Sequence, residues 1–296
     1  MARGRLDLSV TVHPEILGLR AYPLFIGVAV VVAATASFRG AQRGNISAGR
    51  WSAFLFLMCA GTLLGAKLYH LWEGGELETL KLAGLLSPEG FRYPGGLLAL
   101  PVMLAVAAPL LGISIPAAAD AIAPSAALGM AVVRVGCLLQ GCCFGARTAL
   151  PWGVEFPIYS PAWDAHLERG WIALQNSASL PVHPLQVYLG LWSAAVAAIL
   201  FAVAPRRQYA GQVFLLYLAL HETGKAALEL LRFPFRPGLH NASLLAAVFG
   251  VAALLLVSER TGRFGQRPAG GGRRPSNRDR PRPAPVLDGT AGSREG

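Results

Sequence analysis

About seven apolar stretches, each near the roughly 20 residues that cross a bilayer as a helix, constrain this chain more than any other feature. They lie near 21–38, 51–72, 95–115, 117–143, 184–204, 211–232 and 241–257. Composition agrees: 54% of the residues are hydrophobic and 14% charged, against about 25% charged in an ordinary soluble domain. The expectation is an all-α, polytopic integral membrane protein with about seven transmembrane helices. The first stretch is not a cleaved signal, because its apolar run is long, no small-residue cleavage site follows it, and further spans come after.

Arginines in the short loops set the orientation. Arg39, Arg43 and Arg50 separate the first two spans, Arg206 and Arg207 separate the fifth and sixth, and an Arg-rich tail follows the last. The opposite side carries Glu73, Glu76, Glu78 and Glu89 with only Lys81 and Arg92. The N-terminus is therefore expected outside and the tail in the cytoplasm, although Arg3, Arg5 and Arg20 pull mildly the other way. Residues 1–257 form the membrane domain, with 144–183, rich in Pro, Trp and Ser, as a small extracytoplasmic cap. Residues 258–296 read as a basic, disordered tail. Its clustered arginines suit anionic lipid headgroups, and without interleaved aromatics they do not suggest nucleic-acid binding.

Within the fourth stretch stands Arg134, followed by Val135, Gly136, Cys137, Leu138, Leu139, Gln140, Gly141, Cys142 and Cys143. An arginine at that depth costs roughly 2.5 kcal/mol or more to hold in lipid, so it should face a polar cavity or an anion. A guanidinium suits phosphate because its planar fork donates two bonds at once. The alternative is a structural arginine holding backbone carbonyls. Lys225, Glu229 and Arg232, spaced four and three apart, can form one polar stripe on a helix, either a lipid gate or a structural ion pair. Cys137, Cys142 and Cys143 read as small buried apolar residues or as a disulfide or reactive thiol on an oxidising face. A metal site is the minor reading, since no second ligand pair stands at metal spacing. His70 follows Lys67 by three at the outer end of the second span, and His221 with Glu222 reads either as a cavity-lining pair or as a packed polar contact. No metal and no cofactor are expected.

The chain resembles the prolipoprotein diacylglyceryl transferase family. Asp120, Pro124, Gly129, Arg134, Gly136 and Gly141 match its central signature without a gap. Tyr93 to Leu97 is similar to the family's aromatic-His-Gly-Gly-Leu element, Pro151 to Pro157 to the piece after the signature, His183 to Tyr188 to its His-Pro-x-Gln-x-Tyr element, and Lys225 to Arg232 to its final charged helix. Tyr22 resembles an early family tyrosine. The likeness extends from about Tyr22 to about Val257 and departs at named places: Pro94 stands for histidine, Cys137 for asparagine, Cys142 for glutamate, and Lys67 and Lys225 for arginines. The Gly-Cys and Gly-Cys-Cys form resembles that of a divergent branch of the family.

The resemblance implies a multi-pass protein of the bacterial inner (plasma) membrane. Its reaction would transfer the diacylglyceryl group of phosphatidylglycerol to the lipobox cysteine thiol of a preprolipoprotein, releasing glycerol phosphate. Partners would be phosphatidylglycerol, the preprolipoprotein signal peptide and membrane lipids. Arg134 would hold the phosphate with Gly136 and Gln140 beside it, Lys225, Glu229 and Arg232 would line the lipid entrance, and Tyr93 or His183 would handle the proton. The rival reading is a noncatalytic paralogue that binds lipid or a partner protein. A small transporter is disfavoured, since no pair of internal repeats with broken helices is visible.

Overall fold

The structure, a computed structural model, describes residues 15–16, 19–74 and 90–265; side chains before Ala21, those of Tyr93 and Leu239, and those beyond Ser258 lie outside the description. The apolar stretches become helices: α1 (Ala21–Arg43), α2 (Ala48–Glu73), α3 (Tyr93–Leu110), α4 (Ile115–Gln140), α6 (Leu185–Val203) and α9 (Pro237–Gly265), with the short α5 (Pro161–Glu168) between α4 and α6. The stretch expected as one span over 211–232 is a continuous helical run made of α7 (Gln212–Tyr217), a π turn over Leu218–Glu222, and α8 (Thr223–Glu229). A two-residue antiparallel ladder, with Glu15 opposite Arg20, precedes α1.

Among the described residues five helices are long and apolar enough to cross a membrane, and Pro94–Leu110 is a shorter apolar helix. The fold is thus all-helical and polytopic, as expected. Val31, Phe56, Leu98, Leu110 and Leu245 are exposed, as side chains facing lipid should be. The chain divides into two units, Met1–Leu256 and Val257–Gly296. The helix α9 itself continues to Gly265, beyond residue 257 where the apolar stretch ends; the tail from 266 onward lies outside the described residues.

Helix α4 is the centre of the first unit, with α1 packed along one side and α6 along another, while α2 packs mainly on α3. Its buried face is made of small residues, including Ala118, Ala119, Ala121, Ala123, Ala127 and Gly129. Lipid gives no hydrophobic drive between helices, so close van der Waals packing must hold them, and small faces permit it. At the α1 crossing a Cβ on Gly40 would lie 2.6 Å from the Ala121 Cα. At this end of the bundle Trp51, Phe54, Ala107, Ile113 and Ala118 form a core cluster, and the Trp51 indole donates 2.9 Å to the Ser37 hydroxyl.

The 144–183 cap has its own small core of Phe144, Val154, Phe156, Ala162 and Val182. Isolated bridges join Arg147 and Val154 to Val182 and Pro157 to Ala178. Ser160 caps α5 by accepting from the Trp163 N–H at 3.2 Å, and this is what starts a helix after an extended run.

Candidate functional site

Three stretches far apart in sequence are laced together where α4 ends. Gly141 caps α4 in the left-handed conformation, and the Cys142 N–H returns to the Cys137 carbonyl at 3.1 Å, closing the helix in a Schellman-like turn. The chain then pairs with two neighbours. Gly145 N–H donates to His183 O and His183 N–H to Ala146 O, both at 3.0 Å, while Ala146 N–H reaches Leu231 O at 2.6 Å and Phe233 N–H reaches Phe144 O at 3.3 Å. The end of the central signature, the start of the His-Pro-x-Gln-x-Tyr element and the end of the final charged helix therefore meet at one place.

Arg134 lies one turn before Cys137 on α4, partly exposed, with its Cβ 3.3 Å from where a Cβ on Gly190 of α6 would stand. Its Nε is buried and has no hydrogen-bond partner, and no ion pair among the described residues involves its guanidinium. Gly136 is a close-approach position: a Cβ there would lie 2.7 Å from the Phe25 Cβ of α1, with Tyr22 beside it at 3.5 Å. Gln140 is half-buried at the last turn of α4.

The stripe expected from Lys225, Glu229 and Arg232 is split in two. Arg232 and Glu229, both buried, form a two-pronged pair, one prong at 2.7 Å. Lys225 turns the other way and binds Glu222 at 3.1 Å. Glu222 is 2.9 Å from His221 Nδ1, and His221 Nε2 is 3.2 Å from Ser193 Oγ of α6. The π turn lies before Lys225 and leaves the spacing within α8 unchanged; the split arises because Arg232 engages Glu229 while Glu222, three residues before Lys225, is the other carboxylate in helical reach.

His183 is half-buried, with Nδ1 3.5 Å from the Tyr188 hydroxyl, which accepts from the Trp152 indole at 2.8 Å. The Tyr93 side chain lies outside the described residues; its backbone begins α3, with Pro94 in the first turn. Gln186 is the glutamine of the His-Pro-x-Gln-x-Tyr element, and the sequence alone assigns it no role. It is fully buried, donates 2.7 Å to the Cys142 carbonyl and leaves its own Oε1 without a partner. The signal available was a polar residue two positions after Pro184 at a span entrance. In the cap, His166 is buried and accepts from the Leu180 N–H at 3.1 Å. Burial, and to a lesser degree the charge of Arg147, push its pKa below the ordinary imidazole value, so the neutral ring is favoured.

Asp120, the first residue of the signature, serves the opposite end. Its carboxylate accepts from the Gly211 N–H at 2.8 Å and the Phe214 N–H at 2.9 Å, and meets Arg207 at 3.4 Å. It caps α7 and is a strut, about 21 Å along the helix from Arg134 at 1.5 Å per residue.

Such a fold and site define a multi-pass membrane protein with a cationic, polar-walled junction at one end of a central helix. The chain belongs to the prolipoprotein diacylglyceryl transferase family, whose model matches residues 10–258. It is 26% identical over 241 residues to a phosphatidylglycerol–prolipoprotein diacylglyceryl transferase 2 of Clostridium perfringens, covering 79% of this chain and 89% of that one. It is 30% identical to the phosphatidylglycerol–prolipoprotein diacylglyceryl transferase of Rhodococcus jostii, covering 78% and 65%. With that of Nocardia farcinica it shares 32% identity, covering 74% and 46%.

Proposed function

We propose that this chain transfers the diacylglyceryl group of phosphatidylglycerol to the lipobox cysteine of a preprolipoprotein, in the inner (plasma) membrane of a bacterium, with the junction and the 144–183 cap on the outer face and the tail from 258 in the cytoplasm. One observation carries the reading. Arg134 sits in an apolar helix with no carboxylate partner among the described residues. A cation left so at membrane depth costs roughly 2.5 kcal/mol or more unless an anion joins it, and a lipid phosphate is the anion a membrane supplies.

In this reading Arg134 binds the phosphate and stabilises charge on the departing glycerol phosphate. Gly136 lets α1 approach, and Gln140 stands beside the phosphate at the end of α4. Lys225 with Glu222, and Arg232 with Glu229, line the lipid entrance as two ion pairs. Tyr93 or His183 takes the thiol proton. No nucleic acid takes part.

The test is thioether formation between a lipobox peptide and phosphatidylglycerol by the purified protein in lipid discs, followed by mass spectrometry. A lipidated peptide from the wild type and none from Arg134→Ala supports the reading. The rival, a noncatalytic lipid-binding paralogue, is favoured by the internal pairing of Arg232 and Lys225. Phosphatidylglycerol binding without product, and no rescue of cells depleted of their transferase, would decide for it.

A further inference from the structure

Three thiols converge where α4 ends, and the roles assigned above use none of them. The Sγ atoms of Cys137, Cys142 and Cys143 all lie within 4.8 Å of one another. A spacing of five and six residues would not by itself bring three sulfurs together; the turn does. Gly141 is left-handed, and Cys143 is left-handed as well, at φ 60°, a conformation that residues other than Gly, Asn and Asp seldom adopt. The loop backbone is pinned from two sides, by the Cys142 N–H on Cys137 O and by the buried Gln186 amide on Cys142 O at 2.7 Å. The uncommon backbone is thus held in the one arrangement that gathers the sulfurs.

Sulfur donors select thiophilic cations. In a tetrahedral zinc site with Zn–S near 2.3 Å the sulfurs stand about 3.8 Å apart, which these thiols reach by small side-chain rotations. Among the described residues no His, Asp or Glu joins the three, so a zinc ion there keeps one position open, the arrangement of catalytic rather than structural zinc. The open side is accessible, since Cys137 is buried but Cys142 and Cys143 are half-buried. Charge fits too. In the resting site, before lipid or acceptor binds, three thiolates and a dication leave one negative charge, Arg134 one turn away supplies one positive charge, and Arg232 and Glu229 neutralise each other. A balanced cluster is what a poorly solvated site requires.

We infer that Cys137, Cys142 and Cys143 hold one zinc ion and that its fourth position binds the acceptor cysteine of the lipoprotein substrate as a thiolate. The second half rests on the transferase reading. A metal-bound thiol is deprotonated outright. Its sulfur lone pair attacks the glyceryl carbon esterified to phosphate, so the C–S bond forms and the C–O bond breaks. The electron pair leaves on the phosphate oxygen of glycerol phosphate, and the proton displaced from the thiol, taken first by Tyr93 or His183, ends on that phosphate monoester. Nothing is oxidised or reduced. The thioether product is a poor zinc ligand and leaves the metal.

The experiment loads the detergent-purified full chain, reduced, with Zn(II) or with Co(II) as a spectroscopic stand-in, and then adds a lipobox peptide or its Cys→Ser form. The expected result is one metal per chain, sulfur-to-cobalt charge-transfer bands that change with the cysteine peptide and not with the serine peptide, and protection of Cys137, Cys142 and Cys143, but not Cys59, from alkylation. Cys142→Ser should abolish binding, and Gln186→Leu should weaken it roughly tenfold, as loss of a group that orients a ligand does. If Cys142→Ser does not fold, alkylation of the wild type with and without zinc carries the same test. A Cys137–Cys142 or Cys142–Cys143 disulfide in the isolated protein, no metal uptake by three free thiols, or cobalt bands indifferent to the peptide thiol would overturn the inference. Peptide-dependent bands without lipidated product would count against the transferase reading while supporting the metal site. Undiminished lipidation after complete zinc removal would do the reverse.

Discussion

Helix α4 carries a charged residue near each end, and the two are treated in opposite ways. Asp120 is buried and fully engaged, taking two backbone N–H groups at the start of α7 and meeting Arg207. Arg134 has an orphaned Nε and no ion pair among the described residues. A satisfied buried charge holds a fold together, whereas an unsatisfied one at membrane depth needs a ligand. Both residues belong to the same family signature. Membership in a signature therefore does not separate strut from site, but hydrogen-bond accounting does.

In the proposed reading the Arg134 end of α4 faces outward and the Asp120 end faces the cytoplasm. Alkaline phosphatase fused after Arg169 should be active and the fusion after Arg207 inactive, an all-or-none difference. The reverse pattern would put the junction on the cytoplasmic side, away from the oxidising face. Next in size is Arg134 itself. Arg134→Ala should remove lipidation by a factor on the order of 100 or more, the usual loss when a donor to developing negative charge is deleted. Arg134→Lys should recover little, because lysine lacks the bidentate fork. Neither should lower the melting temperature in detergent, since no partner is left unpaired. A fall in stability matching the fall in activity would make Arg134 a strut like Asp120.

Asp120→Asn should show the mirror image. An amide can accept from only one of the Gly211 and Phe214 N–H groups without turning its NH2 on the other, so stability should fall by about 1–3 kcal/mol, seen as a lower melting temperature. Lipidation per folded molecule should hold. Lost activity with intact stability would reverse the assignment.

The spans were legible in the sequence because apolar length alone marks a bilayer-crossing helix, and α1, α2, α4 and α6 fall where the hydropathy puts them. Arg134 was legible because burial of an arginine is costly enough to announce itself. The fate of Lys225 was not. Glu222 three residues before it and Glu229 four after it are both within helical reach, so spacing alone does not choose between them; Arg232 engages Glu229 and leaves Glu222 to Lys225. Gln186 and the gathering of the three cysteines were hidden for a different reason. Both depend on backbone pairing between the 142–146, 182–183 and 231–233 stretches, a long-range arrangement that leaves no local period. The part Asp120 plays as a strut was hidden in the same way, because its partners lie about 90 residues later.

The smallest effect concerns the cap, which extends the comparison to a titratable strut. His166 is buried among Phe144, Trp171 and Phe233 and accepts through Nδ1 from Leu180, so the folded state favours the neutral ring. Its pKa lies below the ordinary value of 6.5. The unfolded chain then binds the extra proton first as the pH falls, and the cap's stability, complete above the ordinary value, declines as pH drops below it toward the folded value. Melting followed by Trp171 fluorescence should therefore shift to lower temperature between pH 8 and pH 5, by less than the Asp120→Asn shift. His166→Gln keeps an acceptor for Leu180 without a titrating group, and should flatten that dependence. An unchanged pH profile in this variant would mean that another group governs the cap's acid response and that His166 is held by packing alone.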